Sequence, residues 1–326
     1  MKNIIQDRSF RLAIGLTLLF LSTGIVFLFM GLAQYGWVLF VLLPIVLGLA
    51  IGAMPNKKYT LRGVLGATVL FLLALYVPGL SGLLCILMVL PLVVPLIFLG
   101  YVVAHLARRY RQLPPTNRVP VLVLPLAIFL LAAPVETYFT KSEQSIVTVK
   151  TEQVFAYSPM QVYDAIKSVD TLDAPKSLLM RLDLPVPTRC VLQKEAVGGL
   201  RTCYFQGGRL SNRDFGGGTI TERITALRKG KLLEMKVIDY NLVGRKWLGF
   251  RDASYYFDPV GADSCRLTRI TTYTSVLRPR RYWQPLEVLG IRQEHEYVFA
   301  NLARDLRQQC GLPHSSQPAA EKPVAQ

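Results

Sequence analysis

Three histidines are all that this chain offers for imidazole chemistry, and only one is placed to use. His105 falls at the end of an apolar run and His314 in a Pro/Ser/Ala tail, whereas His295 lies within a segment that repeats apolar residues at helical spacing. A His-rich metal site and a metalloprotease motif are thereby excluded, and no G-x-S-x-G, P-loop or C-x-x-C spacing occurs. Neither a metal nor a cofactor is expected. His295 could serve as an acid/base group in a cavity; the competing role is a satisfied packing residue. Glu222, Asp239 and Arg269 fall on segments of period two. They could point into an interior, or face water and pair across a sheet. Tyr256 and Tyr273 could give a cavity an aromatic wall with a polar handle, or simply pack in a core. These six are the ligand-cavity candidates, and no catalytic assignment is supported.

Cysteine usage is more informative. Cys85 sits in an apolar run, and the remaining Cys190, Cys203, Cys265 and Cys310 allow three pairings. Cys190 and Cys203 flank one hairpin turn centred near Ala196-Val197, so they could face each other. Cys265 begins the last strand and Cys310 ends the last helix, which a helix running back over its strand would bring to one end. Free buried thiols are the alternative for all four. Disulfides need an oxidising compartment, so the pairing depends on where the domain lies.

The elements that must position these residues begin at Ser145–Tyr157, whose alternation is that of a half-buried strand. Ser158-Pro159-Met160-Gln161 follows as a helix start, with Ser158 as N-cap, Pro159 at the first helical position and Gln161 closing a capping box. A short helix runs through Ile166 and a second covers about Ala174–Leu182, before Pro185 and Pro187 break the pattern. The period then becomes two. Strands are expected at Cys190–Glu195, Leu200–Gln206, Thr219–Leu227, Leu232–Tyr240, Arg251–Phe257 and Cys265–Ser275, punctuated by glycine turns. From about Pro285 to Gln309, Ile291, His295, Val298, Leu302 and Leu306 recur on one helix face. Gly311–Gln326 is expected to be a disordered tail.

One strand, two short helices, six antiparallel strands and a long final helix resemble the helix-grip fold of the SRPBCC superfamily, which includes START lipid-transfer domains and polyketide cyclases. Ala156, Pro159, Val162, Tyr163 and Ile166 in FAYSPMQVYDAI carry the local likeness, with Gly199-Leu200-Arg201 opening a strand. The resemblance covers about residues 145–309. It implies a curved sheet gripping the last helix around an elongated cavity for a hydrophobic ligand. It carries over no active-site residue, because the catalytic members share no common motif.

Upstream the composition changes. The chain is 52% hydrophobic and 18% charged, with a mean hydropathy of +0.35. Residues 1–140 hold ten Lys/Arg and two Asp/Glu, against twenty-seven and nineteen in 141–326, so the net charge of +16 divides into +8 and +8. The expected organisation is a membrane domain (1–140), a helix-grip domain (141–310) and a tail (311–326). Apolar runs at 12–30, 37–54, 64–80, 83–107 and 119–138 all qualify as helices that cross a bilayer, for which about 20 residues are needed and roughly 17–25 suffice. An α-helical membrane bundle of five helices is therefore expected. A re-entrant hairpin of the third and fourth is the alternative. Pro91 and Pro95 should kink the fourth. Glu136 and His105, near helix ends, read as interfacial and solvated. Lys2, Arg8, Arg11, Lys57, Lys58 and Arg62 lie on one side with Arg108, Arg109, Arg111 and Arg118. The loops Gly31–Gly36 and Gly79–Gly82 carry no cation. The positive-inside rule then places the N-terminus in the cytoplasm and the C-terminal domain outside it, in a multi-pass protein of the cytoplasmic membrane. No mid-depth charge marks an ion path, and no basic block resembles a nucleic-acid arm.

In the antiparallel order that the resemblance implies, three connections share the end where the chain leaves the membrane. Their residues are Arg209, Arg213 and Phe215; Arg245, Lys246, Trp247 and Phe250; and Arg278, Arg280, Arg281, Tyr282 and Trp283, against one acid, Asp214. Cations interleaved with aromatics suit an anionic headgroup surface, or are three solvated loops. The expected function is binding of a membrane lipid or other hydrophobic small molecule, with the cavity mouth on the bilayer and Trp247 and Trp283 at the lipid surface. The alternatives are an enzyme of the cyclase/hydratase type and an assembly protein; protein partners are not identified.

Overall fold

The apolar runs fold as helices, and the first two starts have identifiable polar partners. The computed structural model describes residues 6–53, 59–110, 118–140, 144–208, 210, 214–261 and 263–310. Helix α1 (Arg8–Phe29) is capped by Asp7, whose carboxylate accepts from Ser9 N at 2.8 Å and Phe10 N at 3.1 Å. A five-residue π turn, Val38–Leu42, leads directly into α2 (Leu43–Gly52). Glu136 is not a solvated helix end: its carboxylate accepts from Trp37 N at 2.7 Å and Val38 N at 3.0 Å, satisfying orphan donors at that helix start. Helices α3 (Thr60–Tyr76), α4 (Leu83–Arg109) and α5 (Arg118–Thr140) follow, and α4 continues through Pro91 and Pro95.

By length and composition α1 and α4 could cross a membrane, while Val38–Gly52, Thr60–Tyr76 and Leu124–Thr140 are shorter, at 10–17 residues. Five full-length spans are therefore more than the described helices show. The turn at Val77–Gly79 ends the third early, and the second is only the π turn plus α2.

Small residues let α2 and α4 approach closely. A Cβ on Gly48 would lie 2.1 Å from the Ile97 carbonyl, and one on Gly100 would lie 2.2 Å from that of Ile45. Such contacts drive helix association where no hydrophobic gain exists. Meanwhile Leu19, Val26, Leu70, Leu73, Phe98 and Leu99 stand exposed on the outside of the helices.

The remainder opens with β1 (Ser145–Phe155) and α6 (Pro159–Lys167). The Ser158/Gln161 capping box forms in both directions, with Ser158 N donating to Gln161 Oε1 at 2.9 Å. Then come α7 (Leu178–Leu182), β2 (Val186–Leu192), β3 (Leu200–Gln206), β4 (Gly218–Arg228), β5 (Leu232–Leu242), β6 (Leu248–Gly261), β7 (Ser264–Ser275) and α8 (Arg280–Cys310). Strand β2 starts four residues earlier than expected, because Pro187 sits on an edge strand beside a bulge, where a missing N–H is tolerated. Helix α8 likewise begins before Pro285.

All seven strands form one antiparallel sheet in the order β1-β7-β6-β5-β4-β3-β2. Its inner face packs on α6 and α8 through a core that includes Phe155, Tyr163, Tyr255, Phe257, Phe299 and Leu306. This part of the chain is a helix-grip domain.

Cys190 pairs with Cys203 across β2 and β3 and is bridged to it, with Cα atoms 4.0 Å apart. Cys265 is a free, buried thiol, which corrects the expected bridge to Cys310. It packs in the same core as Leu306, one helical turn before the end of α8, and burial pushes its pKa up to about 11.

The α2–α4 crossing gives the first prediction. Gly100→Val must push two backbones apart and should cost about 3 kcal/mol, the upper range for overpacking. Thermal unfolding in detergent should show a clear fall in Tm, while Gly15→Val, where nothing lies within 4 Å, should leave it nearly unchanged.

Candidate functional site

The sheet alternates cleanly enough that one face can be read as the wall of a cavity. Its volume is about 330 Å³, within the range of small-molecule sites. From β3 and β4, Arg201, Glu222 and Ile220 face it; from β6 and β7, Tyr255, Arg269 and Thr271; from α8, Glu287, Glu294 and Ile291. The opposite wall is made by the N-terminal helices, through Ile25, Leu28, Phe71, Leu75, Met88 and Val89. One cavity thus runs from the sheet into the helices.

Its polar end is a cluster of two ion pairs. Arg201 Nη1 lies 3.3 Å from Glu222 Oε2 and Nη2 donates to the Ile166 carbonyl at 3.2 Å. Arg269 Nη2 lies 2.9 Å from Glu294 Oε2. Both guanidinium groups lie over the Tyr255 ring, at 5.7 and 5.6 Å from its centroid. Burial pushes the Glu222 carboxyl above its ordinary range, while Arg201 and Arg269 pull it back. The Nε atoms of Arg201 and Arg269 are buried without a hydrogen-bond partner among the described residues.

Of the six cavity candidates, Glu222 and Arg269 line this space and four do not. Asp239 is exposed, because a bulge leaves Ile238 unpaired between Thr221↔Asp239 and Glu222↔Val237 and turns Asp239 outward. Tyr256 is on the opposite face of β6, donating to Glu234 Oε1 at 3.1 Å; its neighbour Tyr255 faces in. Polar Ser254 and Asp258 on the Tyr256 side were the available signal. Tyr273 is buried in a separate cluster with Val147, Val149 and Ile291, and its hydroxyl donates to Glu287 Oε2 at 3.1 Å. His295 is fully buried between two threonines, with Nδ1 2.8 Å from Thr151 Oγ1 and Nε2 2.8 Å from Thr271 Oγ1. Burial, with Arg269 nearby, pushes its pKa down to about 2. It is a neutral packing residue.

The three basic-aromatic connections do share one end of the sheet, and that end seats on the helices. Arg278 N donates to the Tyr35 carbonyl at 2.9 Å, Tyr76 Oη to the Leu210 carbonyl at 2.6 Å, and Tyr282 Oη to the Met88 carbonyl. Trp283, expected at a lipid surface, is buried instead, with its ring 4.9 Å from that of Phe40; Trp247 and Tyr282 are half-buried in the same cluster. Phe250 lines the cavity, Lys246 and Arg281 are exposed, and Arg209 and Arg213 lie outside the described residues. Two of the cations are buried in pairs. Arg280 Nη2 lies 2.9 Å from Glu287 Oε2, and Glu287 also accepts from Ser275 Oγ at 2.6 Å. Arg245 Nη2 donates to the Asp183 carbonyl at 2.8 Å and lies 3.7 Å from Asp183 Oδ1, while Nη1 donates to Cys85 Sγ at 3.4 Å. Asp183 Oδ2 in turn accepts from Leu84 N at 3.2 Å. Sequence periodicity could not reveal Asp183, Glu287 or Glu294, since their partners are remote in the chain.

No family model matches this chain, and no curated protein matches it. Among solved structures, a point mutant of norcoclaurine synthase from Thalictrum flavum is 15% identical, over 52% of this chain and 98% of that one, with a TM-score of 0.35. The Zhui aromatase/cyclase from Streptomyces sp. R1128 is 13% identical over 51% and 96%, at 0.34, and a protein from Arthrobacter aurescens 15% over 50% and 91%, at 0.34.

The buried pairs and the sealed histidine each lead to a measurable consequence. Asp183→Ala strands a buried guanidinium and should cost about 3–5 kcal/mol, whereas Asp183→Leu with Arg245→Met should cost well under the sum of the single changes. Denaturation of the single and double variants in detergent checks this. For His295, the unfolded chain takes a proton near pH 6.5 that the folded chain refuses until about 2. Stability present above pH 6.5 is therefore lost as pH falls, by about 1.4 kcal/mol per unit. His295→Gln should flatten that slope in urea titrations between about pH 6.5 and 4.5.

Proposed function

We propose that this protein is a membrane-anchored binding protein for a lipid or other hydrophobic small molecule, with the mouth of its helix-grip domain held on the outer side of the cytoplasmic membrane. The observation that carries this reading is the shared cavity: the space inside the grip continues between the apolar N-terminal helices. A ligand could pass from hydrocarbon to protein interior without meeting water.

Three further observations support the membrane placement. The helices expose large apolar side chains outward, as hydrocarbon requires. The grip domain seats at Tyr35, Leu84 and Met88, close to the two loops without Lys or Arg. The cationic helix ends, at Arg8, Arg11, Arg62, Arg108 and Arg109, belong to the other side, which the positive-inside rule assigns to the cytoplasm. The Cys190–Cys203 bridge suits an oxidising, extracytoplasmic compartment. These are independent lines, one from charge and one from sulfur chemistry.

Native mass spectrometry of the full chain extracted in mild detergent should detect a bound lipid. Leu248→Trp, which fills the grip from β6, should reduce it; a chain that never carries lipid refutes the reading. For orientation, a reporter active only outside the cytoplasm and fused after Gln309 should be active. Cytoplasmic reporter activity would invert the topology.

A further inference from the structure

The cavity has two chemically different ends, and their contents narrow what can occupy it. At the grip end, Arg201 and Arg269 are matched by Glu222 and Glu294, so the cluster is neutral as a set. All four side chains are at least four-fifths buried. An added unit charge there would stand uncompensated in a low-dielectric interior, which is costly. Yet the cluster has donor capacity to spare, since each guanidinium carries five N–H donors and the contacts to Glu222, the Ile166 carbonyl and Glu294 use only some of them. A neutral oxygen acceptor fits both conditions.

At the helix end the walls are apolar. Helices α1 and α3 touch near their N-termini, where a Cβ on Gly63 would lie 2.9 Å from the Phe10 carbonyl and 3.1 Å from Ala13 Cβ. Further along, the same two helices turn Leu21, Ile25 and Leu28, and Phe71, Leu72 and Leu75, to the cavity. The seam between them is walled largely by these apolar side chains.

Resting on the lipid-binding reading above, we infer that the ligand is an amphiphile with an uncharged, oxygen-bearing head, seated at the Arg201–Glu222/Arg269–Glu294 cluster, and an apolar tail lying in the seam between α1 and α3. Charged phospholipids and free fatty acids are then poor occupants, and long-chain alcohols or glycerides of the same tail are good ones.

The test uses the full chain in phosphatidylcholine vesicles and three photoreactive probes with one long alkyl tail, a mid-tail diazirine and an alcohol, carboxylate or ammonium head. The alcohol should label α1 and α3 peptides about tenfold more than either charged probe. Leu72→Trp should abolish that labelling. Glu222→Gln leaves the cluster with one excess positive charge, so its preference should move toward the carboxylate. A wild-type chain that favours the carboxylate or the ammonium overturns the head assignment, as does an order of preference that Glu222→Gln leaves unchanged. Absence of label from α1 and α3 in a chain that still carries native lipid overturns the tail assignment alone. A chain with neither lipid nor label overturns the binding reading as well.

Discussion

The junction between helices and sheet depends on one buried ion pair. Arg245, in the β5–β6 turn, reaches Asp183, in the connection from α7 to β2, and Asp183 reaches the backbone of Leu84 at the start of α4. Three segments far apart in the chain are thereby held to one point. Removing water from such a pair costs free energy that its attraction only partly returns, so its stabilisation is modest while its geometric demand is strict. Phe215 closes the same point, lying 5.0 Å beneath the Arg245 guanidinium and against Gly82 and Gly244. A side chain at either glycine would collide with it. This contact helps to fix where the grip sits, and the cavity inside the grip continues among the helices.

That placement changes what the basic-aromatic connections do. A string of Arg, Lys and Trp on three loops reads from sequence as a surface for anionic headgroups or as three solvated loops. In the folded chain Arg245 and Arg280 spend their charge on Asp183 and Glu287, and Trp283 packs on Phe40. The aromatic and cationic residues serve chiefly as contacts between two parts of one chain. Lys246 and Arg281 remain exposed.

The elements were legible wherever a local rule settled them. The Ser158/Gln161 capping box, the period-two segments and the apolar face of α8 each depend on neighbours a few residues away, while the place of the first strand beside the last was only what the resemblance implied. The Cys190–Cys203 pairing was also local, being a matter of register across one turn. What was not legible came from bulges and from remote pairing. A single extra residue, Ile238, sent Asp239 to solvent, and of two adjacent tyrosines it is Tyr255 that faces in while Tyr256 turns to Glu234. Arg201 was visible only as part of a turn motif. That it balances Glu222, and that Glu294 balances Arg269, depends on β3, β4, β7 and α8 meeting in space.

His295 illustrates how burial decides between roles that sequence leaves equal. On an apolar helix face the residue could have been a catalytic base, and in the fold both ring nitrogens are taken by threonine hydroxyls from β1 and β7. With the ring buried and Arg269 disfavouring its charge, the imidazole is held neutral near neutral pH. The polar groups of the cavity are instead the paired Arg201–Glu222 and Arg269–Glu294 side chains. A proton transfer to or from one member of such a pair would leave its partner unbalanced inside the protein. Such paired groups can hydrogen-bond a neutral polar group without any change in the charge they bury.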